Sequence, residues 1–296
     1  MKKLSIVCFG EVLWDLFPNY RKIGGAPLNV ALRLASLGNN TYMISRVGDD
    51  DLGTQLLQYI SSKGVAIDHI QIDNKNETGT VQVMLDNKGV ASYSISHPVA
   101  WDYIDFSLAM KQLISKADAL IYGSLSSRNR HSYDTLLTLL KSARYRVFDV
   151  NLRKPHYGIE HVLRLMKEAN FIKFNEEELL ELGTELGATH HTLETTVEFI
   201  SKLTNTDHIC VTRGKDGAVL LYNNKWYYNK GYTIDVVDTV GAGDSFLAAL
   251  VDQLLTKHDC QKALDFACAV GAVVAASKGA NPVITVETIN KFINSK

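Results

Sequence analysis

The sequence predicts an α/β fold with a mainly parallel central sheet, helices on both faces of that sheet, and a small β lid. Short apolar runs alternate with stretches of helical periodicity along most of the 296 residues. This is the pattern of a parallel sheet covered by helices. One segment interrupts it, because residues 80–85 and 90–95 alternate apolar and polar side chains in the manner of a hairpin. We therefore expect one domain over 1–296, with a lid built from about 16–24 and 78–103.

The other elements follow from where the apolar periodicity begins and ends. The first strand, 4–9, stops at Gly10, and the first helix, 27–37, has proline at its start and Gly38 after its end, which is the usual asymmetry of helix boundaries. Seven more main-sheet strands are predicted, of which the last two pair antiparallel: 42–47, 120–122, 146–150, 171–174, 208–212, 218–222 with 225–228. The other helices with definite bounds are 51–62, 243–255, 261–277 and 285–293.

Charge and cysteine usage narrow the class of protein. Lys and Arg number 31 against 32 Asp and Glu, and no basic run stands out, so neither nucleic acid nor an anionic membrane is expected as a partner. The basic start reaches Gly10 too soon for a signal peptide, and no apolar stretch is long enough to span a membrane. We expect a cytoplasmic protein with buried free thiols, since no metal-type pair occurs among Cys8, Cys210, Cys260 and Cys268.

The segment Asp238-Thr239-Val240-Gly241-Ala242-Gly243-Asp244 leads directly into an apolar helical run. Gly-Ala-Gly leaves backbone N–H groups uncovered at a helix start, where the missing intrahelical acceptors and the helix dipole attract anions. Asp244 adds a carboxylate beside this site, and we expect it to be ionised at neutral pH. Phosphoryl transfer to a hydroxyl needs a phosphate cradle with an adjacent base. The plain alternative is a capped helix after a turn, but a cap does not require Gly-Ala-Gly.

Five further polar or glycine-rich groups occur at strand ends and helix starts, where open α/β sheets bind their ligands. They are Gly10-Glu11-Val12-Leu13-Trp14-Asp15, Gly24-Gly25-Ala26-Pro27-Leu28-Asn29, Asp149-Val150-Asn151-Leu152-Arg153, Asn175-Glu176-Glu177-Glu178 and Thr212-Arg213-Gly214-Lys215-Asp216-Gly217. Each alone has a structural explanation. Asp15 can cap a turn, Asn175 can cap a helix with Glu178 as its capping-box partner, and Gly214 and Gly217 can form a turn between strands.

Together these motifs resemble the ribokinase-like (PfkB) family of carbohydrate kinases, from Gly10 to about Pro282. The segment 238–244 is similar to the C-terminal signature of the family, and 24–38 is similar to its N-terminal signature. Within the family the first two groups look most like those of bacterial fructokinases. The chain departs from ribokinase at 16–23, where a longer insertion builds much of the ribokinase lid. Trp101 and Tyr103, which follow the hairpin, are expected to pack between lid and core rather than over a sugar.

The resemblance implies transfer of the ATP phosphoryl group to a sugar, with fructose giving fructose 6-phosphate. Asp244 would accept the proton of the attacked hydroxyl, and the N–H groups of Gly241, Ala242 and Gly243 would form the anion hole. Arg153 would place a positive charge near phosphate or sugar. The positions implied to bind the sugar are Asp15, Gly24, Gly25 and Asn29.

The resemblance also implies where nucleotide and ions bind. Asn175, Thr212, Gly214 and Gly217 would line the nucleotide site. Glu178 would hold Mg²⁺ through water, in keeping with the reluctance of Mg²⁺ to lose its waters. Many relatives use a monovalent cation near the anion hole, which implies an optional K⁺ site beside Asp238 and Gly279. Pairing of lids between relatives makes a homodimer through the lid an expectation.

Alternatives remain open on the sequence alone. A kinase of the same family could take ribose, 2-keto-3-deoxygluconate or a nucleoside instead, although no extra Arg or Lys for an acid substrate lies in the motifs around Asp15 and Asn29. A non-catalytic sugar or nucleotide sensor would be marked by a degenerate site, whereas Gly-Ala-Gly and Asp244 are intact here. A Rossmann dehydrogenase is disfavoured because Phe246 stands where a third small residue is needed.

Overall fold

The computed structural model describes residues 3–85, 91–189, 192–256 and 259–295. Its strands are β1 (Ser5–Phe9), β2 (Leu13–Leu16), β3 (Arg21–Gly24), β4 (Asn40–Gly48), β5 (Val65–Asp73), β6 (Gly79–Leu85), β7 (Ala91–Ile95), β8 (Ala119–Gly123), β9 (Arg146–Asp149), β10 (Phe171–Asn175), β11 (His208–Thr212), β12 (Ala218–Tyr222) and β13 (Lys225–Asn229). Its α-helices are α1 (Ala26–Ser36), α2 (Asp51–Ser62), α3 (Leu108–Lys116), α4 (Arg130–Leu140), α5 (Ile159–Glu168), α6 (Glu176–Glu185), α7 (Leu193–Thr204), α8 (Ala242–Thr256), α9 (Cys260–Ala275) and α10 (Val286–Asn294).

The main sheet has nine strands in the order β13-β12-β11-β10-β9-β8-β1-β4-β5. All neighbours from β11 to β5 pair parallel, and β12 and β13 add an antiparallel edge. Side chains of β1 alternate between two apolar cores, with Ile6 and Cys8 in one and Val7 and Phe9 in the other. Two cores on opposite faces mean that helices cover both sides of the sheet, which confirms the predicted fold class.

A second, separate sheet has four strands in the order β3-β2-β6-β7. It draws on both segments predicted for the lid, and β6 and β7 pair antiparallel as the hairpin pattern predicts. The residues predicted to join them, 86–90, lie outside the described residues. One face of this sheet packs Leu13 against Val81 and Val83. The sheet stands over the carboxyl end of β1, from which β2 continues after a short connection.

Two points about the first hundred residues differ from the sequence analysis. The turn cap, which was the structural alternative for Asp15, does not form: Asp15 belongs to β2, because residues 13–16 pair with both β3 and β6. Strand β5 was not predicted, since it forms the edge of the main sheet and its exposed side lacks a clear apolar run. The other predicted elements agree with the observed bounds to within a few residues. Trp101 packs as expected: its side chain is fully buried and lies under the guanidinium of Arg128, 4.0 Å from the ring centre.

The four cysteines are free thiols, and three of them are buried. Cys260 is the exception, because it begins α9 and is partly exposed. Within the described ranges, none of the helices has both the length and the apolar character needed to cross a membrane.

Candidate active site

The start of α8 lies near the carboxyl end of β10, where a Cβ on Gly243 would stand 3.5 Å from Lys173 Nζ. Gly241 has φ +76°, and a Cβ there would overlap Ala280, so only glycine fits this reversal. The N–H of Ala242 donates to the Thr239 carbonyl at 3.2 Å. No described residue accepts a hydrogen bond from the N–H of Gly241 or Gly243. The helix start therefore keeps donors for an anion, as the sequence pattern predicts.

Asp244 lies in the first turn of α8 and is held by a chain of amides. Asn29 on α1 donates from Nδ2 to Asp244 Oδ2 at 2.8 Å. The Oδ1 atom of Asn29 in turn accepts from Asn281 Nδ2 at 2.7 Å. Asn29 is 5% exposed, so this amide has no freedom to turn away. The predicted base and one predicted sugar-binding residue are therefore direct neighbours.

The pKa of Asp244 is set by competing effects. Burial and the negative charge of Asp149 raise the pKa to about 6, against the Asn29 hydrogen bond and the positive charges of Lys173 and Arg153. A helix start by itself would lower it. The carboxylate is still mainly ionised above pH 7, and a pKa nearer to neutrality suits proton transfer better than an ordinary aspartate does.

A buried ion pair lies beside Asp244. Lys173 on β10 is the register partner of Asp149 on β9, and its Nζ is 3.0 Å from Asp149 Oδ1. Burial alone would lower the pKa of Lys173, but the carboxylates of Asp149, Glu178 and Asp244 raise it, so the lysine is charged. Sequence reasoning assigned no role to Lys173 or Asp149. The available signal was a lysine between Ile172 and Phe174 in an otherwise apolar strand.

Asn175 and Glu178 form the capping box that was the structural alternative for them. Asn175 Oδ1 accepts from the Glu178 N–H at 2.8 Å, and Glu178 Oε2 accepts from the Asn175 N–H at 2.9 Å. The other carboxylate oxygen, Oε1, accepts from the Leu152 N–H at 2.9 Å. Each oxygen of Glu178 thus uses one acceptor position and keeps another. The cap and a role in ligand binding are compatible.

The same region has oxygen donors of the kind that Mg²⁺ prefers. Asp149 Oδ2 is buried and has no hydrogen-bond partner in the part of the chain that the structure describes, and Glu178 has acceptor capacity left. The described part of the chain contains no cluster of three acidic, histidine or cysteine side chains that could bind a metal directly. The residues therefore fit a hydrated Mg²⁺ held partly by a nucleotide, and not a protein-caged ion.

The predicted sugar-binding residues meet where the small sheet joins α1. A Cβ on Gly24 would stand 2.6 Å from Asp15 Oδ2, and a Cβ on Gly25, at φ +111°, would overlap the Glu11 carbonyl. Both glycines therefore permit close contact of this turn with β2. Burial raises the pKa of Asp15 to about 6, against the positive charges of Lys22 and Arg153.

Glu11 and Arg153 are two further charged residues of these motifs. Glu11 is 2% exposed, its Oε2 has no hydrogen-bond partner among the described residues, and burial raises its pKa to about 7. The sequence analysis predicts no role for Glu11. Arg153 is exposed on the loop after β9, and within the described part of the chain it donates to the Leu152 carbonyl alone, at 2.8 Å. Its charge lowers the pKa of Glu11, Asp15 and Asp244 from a distance.

The predicted nucleotide-binding residues continue along the sheet edge. Thr212 ends β11 as the register partner of Asn175, and its Oγ1 donates to the Phe174 carbonyl at 3.3 Å. Gly214 and Gly217 have φ +56° and +82° and form a tight turn between β11 and β12. They are thus turn residues, and the turn lies next to the Asn175 position.

Asp238 and Gly279 are brought together as the motif implies. Asp238 Oδ2 accepts from the Gly279 N–H at 3.2 Å, and Oδ1 accepts from the Val240 N–H at 3.1 Å. The ammonium of Lys22 on β3 is 3.3 Å from Oδ2. Burial by itself would raise the pKa of Asp238, but these hydrogen bonds and Lys22 hold that pKa below its usual range. Lys22 thereby ties the small sheet to the loop before α8.

Comparison with known proteins agrees with this geometry. The profile of the pfkB family carbohydrate kinases matches residues 3–287. A fructokinase of Escherichia coli is 30% identical, over 92% of this chain and 93% of its own. The structure of a Vibrio cholerae fructokinase with fructose, ADP and potassium ion superposes with a TM-score of 0.85 at 25% identity, covering 99% of this chain and all of the other. The structure of an aminoimidazole riboside kinase of Salmonella enterica, complexed with aminoimidazole riboside and an ATP analog, superposes with a TM-score of 0.81 at 26% identity, covering 97% of this chain and 99% of the other.

The Asp244 carboxylate, the helix-start N–H groups and the ammonium of Lys173 lie close together, and the chain belongs to the pfkB family of carbohydrate kinases. It is an ATP-dependent sugar kinase, similar along nearly its whole length to fructokinases.

Proposed function

We propose that the protein transfers the γ-phosphoryl group of ATP to the 6-hydroxyl of D-fructose, forming fructose 6-phosphate and ADP. The observation that carries the proposal is the Asn29–Asp244 hydrogen bond, which joins a sugar-side amide to a carboxylate at an anion-binding helix start. The choice of fructose is supported by the fructokinases among the relatives.

In the proposed reaction Asp244 accepts the proton of the hydroxyl as its oxygen attacks the γ-phosphorus. The bond from phosphorus to the bridging oxygen breaks, and ADP leaves with that electron pair. The N–H groups of Gly241, Ala242 and Gly243 stabilise the charge on the transferring group. A general base contributes roughly 10²–10⁴-fold and one such donor about 10²–10³-fold.

The remaining site residues bind and orient the two substrates. Asp15, Gly24, Gly25 and Asn29 hold the sugar, because a carboxylate and an amide can each hydrogen-bond neighbouring hydroxyls. Arg153 swings from its exposed position toward the phosphate or sugar. The nucleotide lies along the sheet edge, at Asn175, Thr212, Gly214 and Gly217.

The proposed ions have separate sites. Glu178 would hold Mg²⁺ through water, and the ion would supply positive charge to the phosphates of ATP. A monovalent cation at Asp238 and Gly279 is supported by the potassium ion in the Vibrio relative. Here Lys22 already brings one positive charge to Asp238, so we expect at most a modest K⁺ requirement.

A second acceptor is favoured by one finding. The Salmonella relative named as an aminoimidazole riboside kinase is as similar to this chain as the Vibrio fructokinase is. Ribosides and fructose in its furanose form both present a primary hydroxyl on a five-membered ring. A riboside is therefore the alternative acceptor, because it offers the same kind of hydroxyl.

The test is ATP turnover with Mg²⁺ by the purified protein against fructose, ribose, glucose, mannose, tagatose, adenosine, aminoimidazole riboside and 2-keto-3-deoxygluconate. We expect the highest kcat/KM with fructose and a single product, the 6-phosphate, by NMR. Asp244→Asn protein serves as the control for contaminating kinases. A higher kcat/KM with another acceptor refutes fructose but keeps the reaction, and binding without turnover for every acceptor makes the protein a sensor.

We also propose that two chains pair through the small sheet. Its two edge strands, β3 and β7, have unpaired backbone groups on one side, and Tyr20 and Tyr93 are 55% and 61% exposed. Light scattering after size exclusion should give twice the chain mass of 32.9 kDa. Tyr93→Glu should halve that mass, and a wild-type mass of one chain would exclude the dimer.

A further inference from the structure

The ion pair of Lys173 and Asp149 is almost completely buried. The two side chains are 7% and 5% exposed, and they sit at the carboxyl ends of adjacent strands in the centre of the sheet. Removing two charges from water costs more than their attraction usually returns, so a buried pair is weak evidence for a role in stability. Their position beside Asp244 indicates a role in the reaction.

Both members of the pair have unused hydrogen-bonding capacity. An ammonium has three donors, and Lys173 makes one hydrogen bond within the described residues, to Asp149 Oδ1. Among the described residues, Asp149 Oδ2 is buried without a hydrogen-bond partner. Because buried polar groups in proteins are nearly always paired, the free donors of Lys173 fit an anionic ligand, and the free oxygen of Asp149 fits the hydrated cation that would accompany it.

The ammonium faces the start of α8. A Cβ built on Gly243 would stand 3.5 Å from Lys173 Nζ, in ordinary van der Waals contact. The absent side chain leaves a gap between the helix-start N–H groups and the lysine. The positive charge of Lys173 also lowers the pKa of Asp244. Lys173 Nζ and the helix-start N–H groups therefore lie on two sides of this space, close to Asp244.

We propose that Lys173 is a further catalytic residue whose ammonium contacts an oxygen of the transferring phosphoryl group, and that Asp149 is the positioning residue that aims it. This inference rests on the proposed phosphoryl transfer at Asp244. The lysine meets the phosphoryl oxygens from the sheet side while the N–H groups of α8 meet them from the helix side. A fixed cation in a dry site stabilises the charge of the transition state more than that of bound ATP.

The test compares Lys173→Met, Lys173→Arg and Asp149→Asn with wild type, using the best acceptor found. We expect Lys173→Met to lower kcat by about 10²–10³-fold with the KM of the sugar changed less than about threefold. The kcat of Lys173→Arg should be at least tenfold higher than that of Lys173→Met. The kcat of Asp149→Asn should lie between those of Lys173→Met and wild type. Arg146→Met is the control, because Arg146 lies at the amino end of β9, away from Asp149, where it pairs with Glu168 on α5.

A second readout does not depend on turnover. Lys173→Met should weaken binding of ADP with Mg²⁺ and aluminium fluoride at least tenfold, while ADP alone binds as in wild type. Equal loss of both would make the lysine a nucleotide-site residue and overturn the proposal. A folded Lys173→Met protein with kcat within about threefold of wild type would overturn it too. Should that variant not fold, an unchanged kcat in both Lys173→Arg and Asp149→Asn decides against it. Failure of wild type to turn over any acceptor would instead count against the proposed function.

Discussion

At the residue scale, Asp244 combines two environments that act in opposite directions. Its carboxylate lies at a helix start and accepts from Asn29, and both features favour the ionised form. Burial and the nearby Asp149 outweigh them and bring its pKa to about 6. The result is a carboxylate that is ionised at neutral pH but basic enough to take a hydroxyl proton as phosphoryl transfer proceeds.

Asp244→Asn should inactivate the protein and stabilise it. We expect kcat below about 1% of wild type, with fructose and ATP binding nearly unchanged. The wild-type carboxyl binds its proton more tightly folded than unfolded, so its stability falls as pH rises from about 4 to 6 and stays lowered above. The variant does not lose this stability, which amounts to up to roughly 3 kcal/mol. Thermal unfolding of both proteins at pH 7.5 and at pH 4 measures the difference. Equal midpoints of wild type and variant at both pH values would show that the pKa of the Asp244 carboxyl is not raised.

Asp15→Ala should act on the sugar and spare the nucleotide. Asp15 lies on the small sheet, against Gly24 and away from the β10–β11 edge. Loss of a charged hydrogen-bond partner should raise the KM of fructose about 10- to 100-fold. The KM of ATP should stay within about twofold, and initial rates with each substrate varied in turn separate the two. A similar rise in both KM values would remove Asp15 from the sugar site.

At the element scale, the loop before α8 shows how much the sequence could predict. Gly-Ala-Gly-Asp predicted a helix start with open N–H groups, because local rules of helix capping depend only on neighbouring residues. The Lys173–Asp149 pair could not be predicted from local rules of this kind. It depends on the register of β9 and β10, which are 24 positions apart in the chain, and no local pattern specifies that register. Strands β2 and β5 were missed for other reasons, because β2 has only four residues and the exposed side of β5 lacks a clear apolar run.

The two glycines of the α8 loop should respond differently to alanine. Gly241→Ala places a Cβ against Ala280 at φ +76°, so we expect destabilisation by more than about 1 kcal/mol. Gly243→Ala meets only ordinary contact, and alanine favours helix, so its stability should equal or exceed that of wild type. Its methyl group nevertheless fills the gap before Lys173, and kcat should fall at least tenfold. Unfolding midpoints and kcat together test this; an active Gly243→Ala protein would show that nothing binds in the gap.

At the scale of the whole molecule, the site is divided between two sheets. Asp15 comes from the small sheet, whereas Asn29 and Asp244 come from helices that cover the main sheet. Lys22 joins the two at Asp238, but this partly exposed ion pair is worth little on its own. A sugar bound between Asp15 and Asn29 would link the sheets more strongly than the protein does unaided, and exclusion of water would follow from the same contact.

Sugar binding should therefore stabilise the whole protein, and only when both sheets can hold the sugar. Fructose at about 100 times its dissociation constant stabilises the folded state by about 2.7 kcal/mol if it binds that state alone. We expect the thermal midpoint of wild type and of Asp244→Asn to rise with fructose, since neither lacks a binding group. Asp15→Ala at the same concentration should show less than half of that rise, because the small sheet can no longer hold the sugar. An equal rise in Asp15→Ala would mean that the main sheet binds the sugar alone and that the small sheet does not act as a lid.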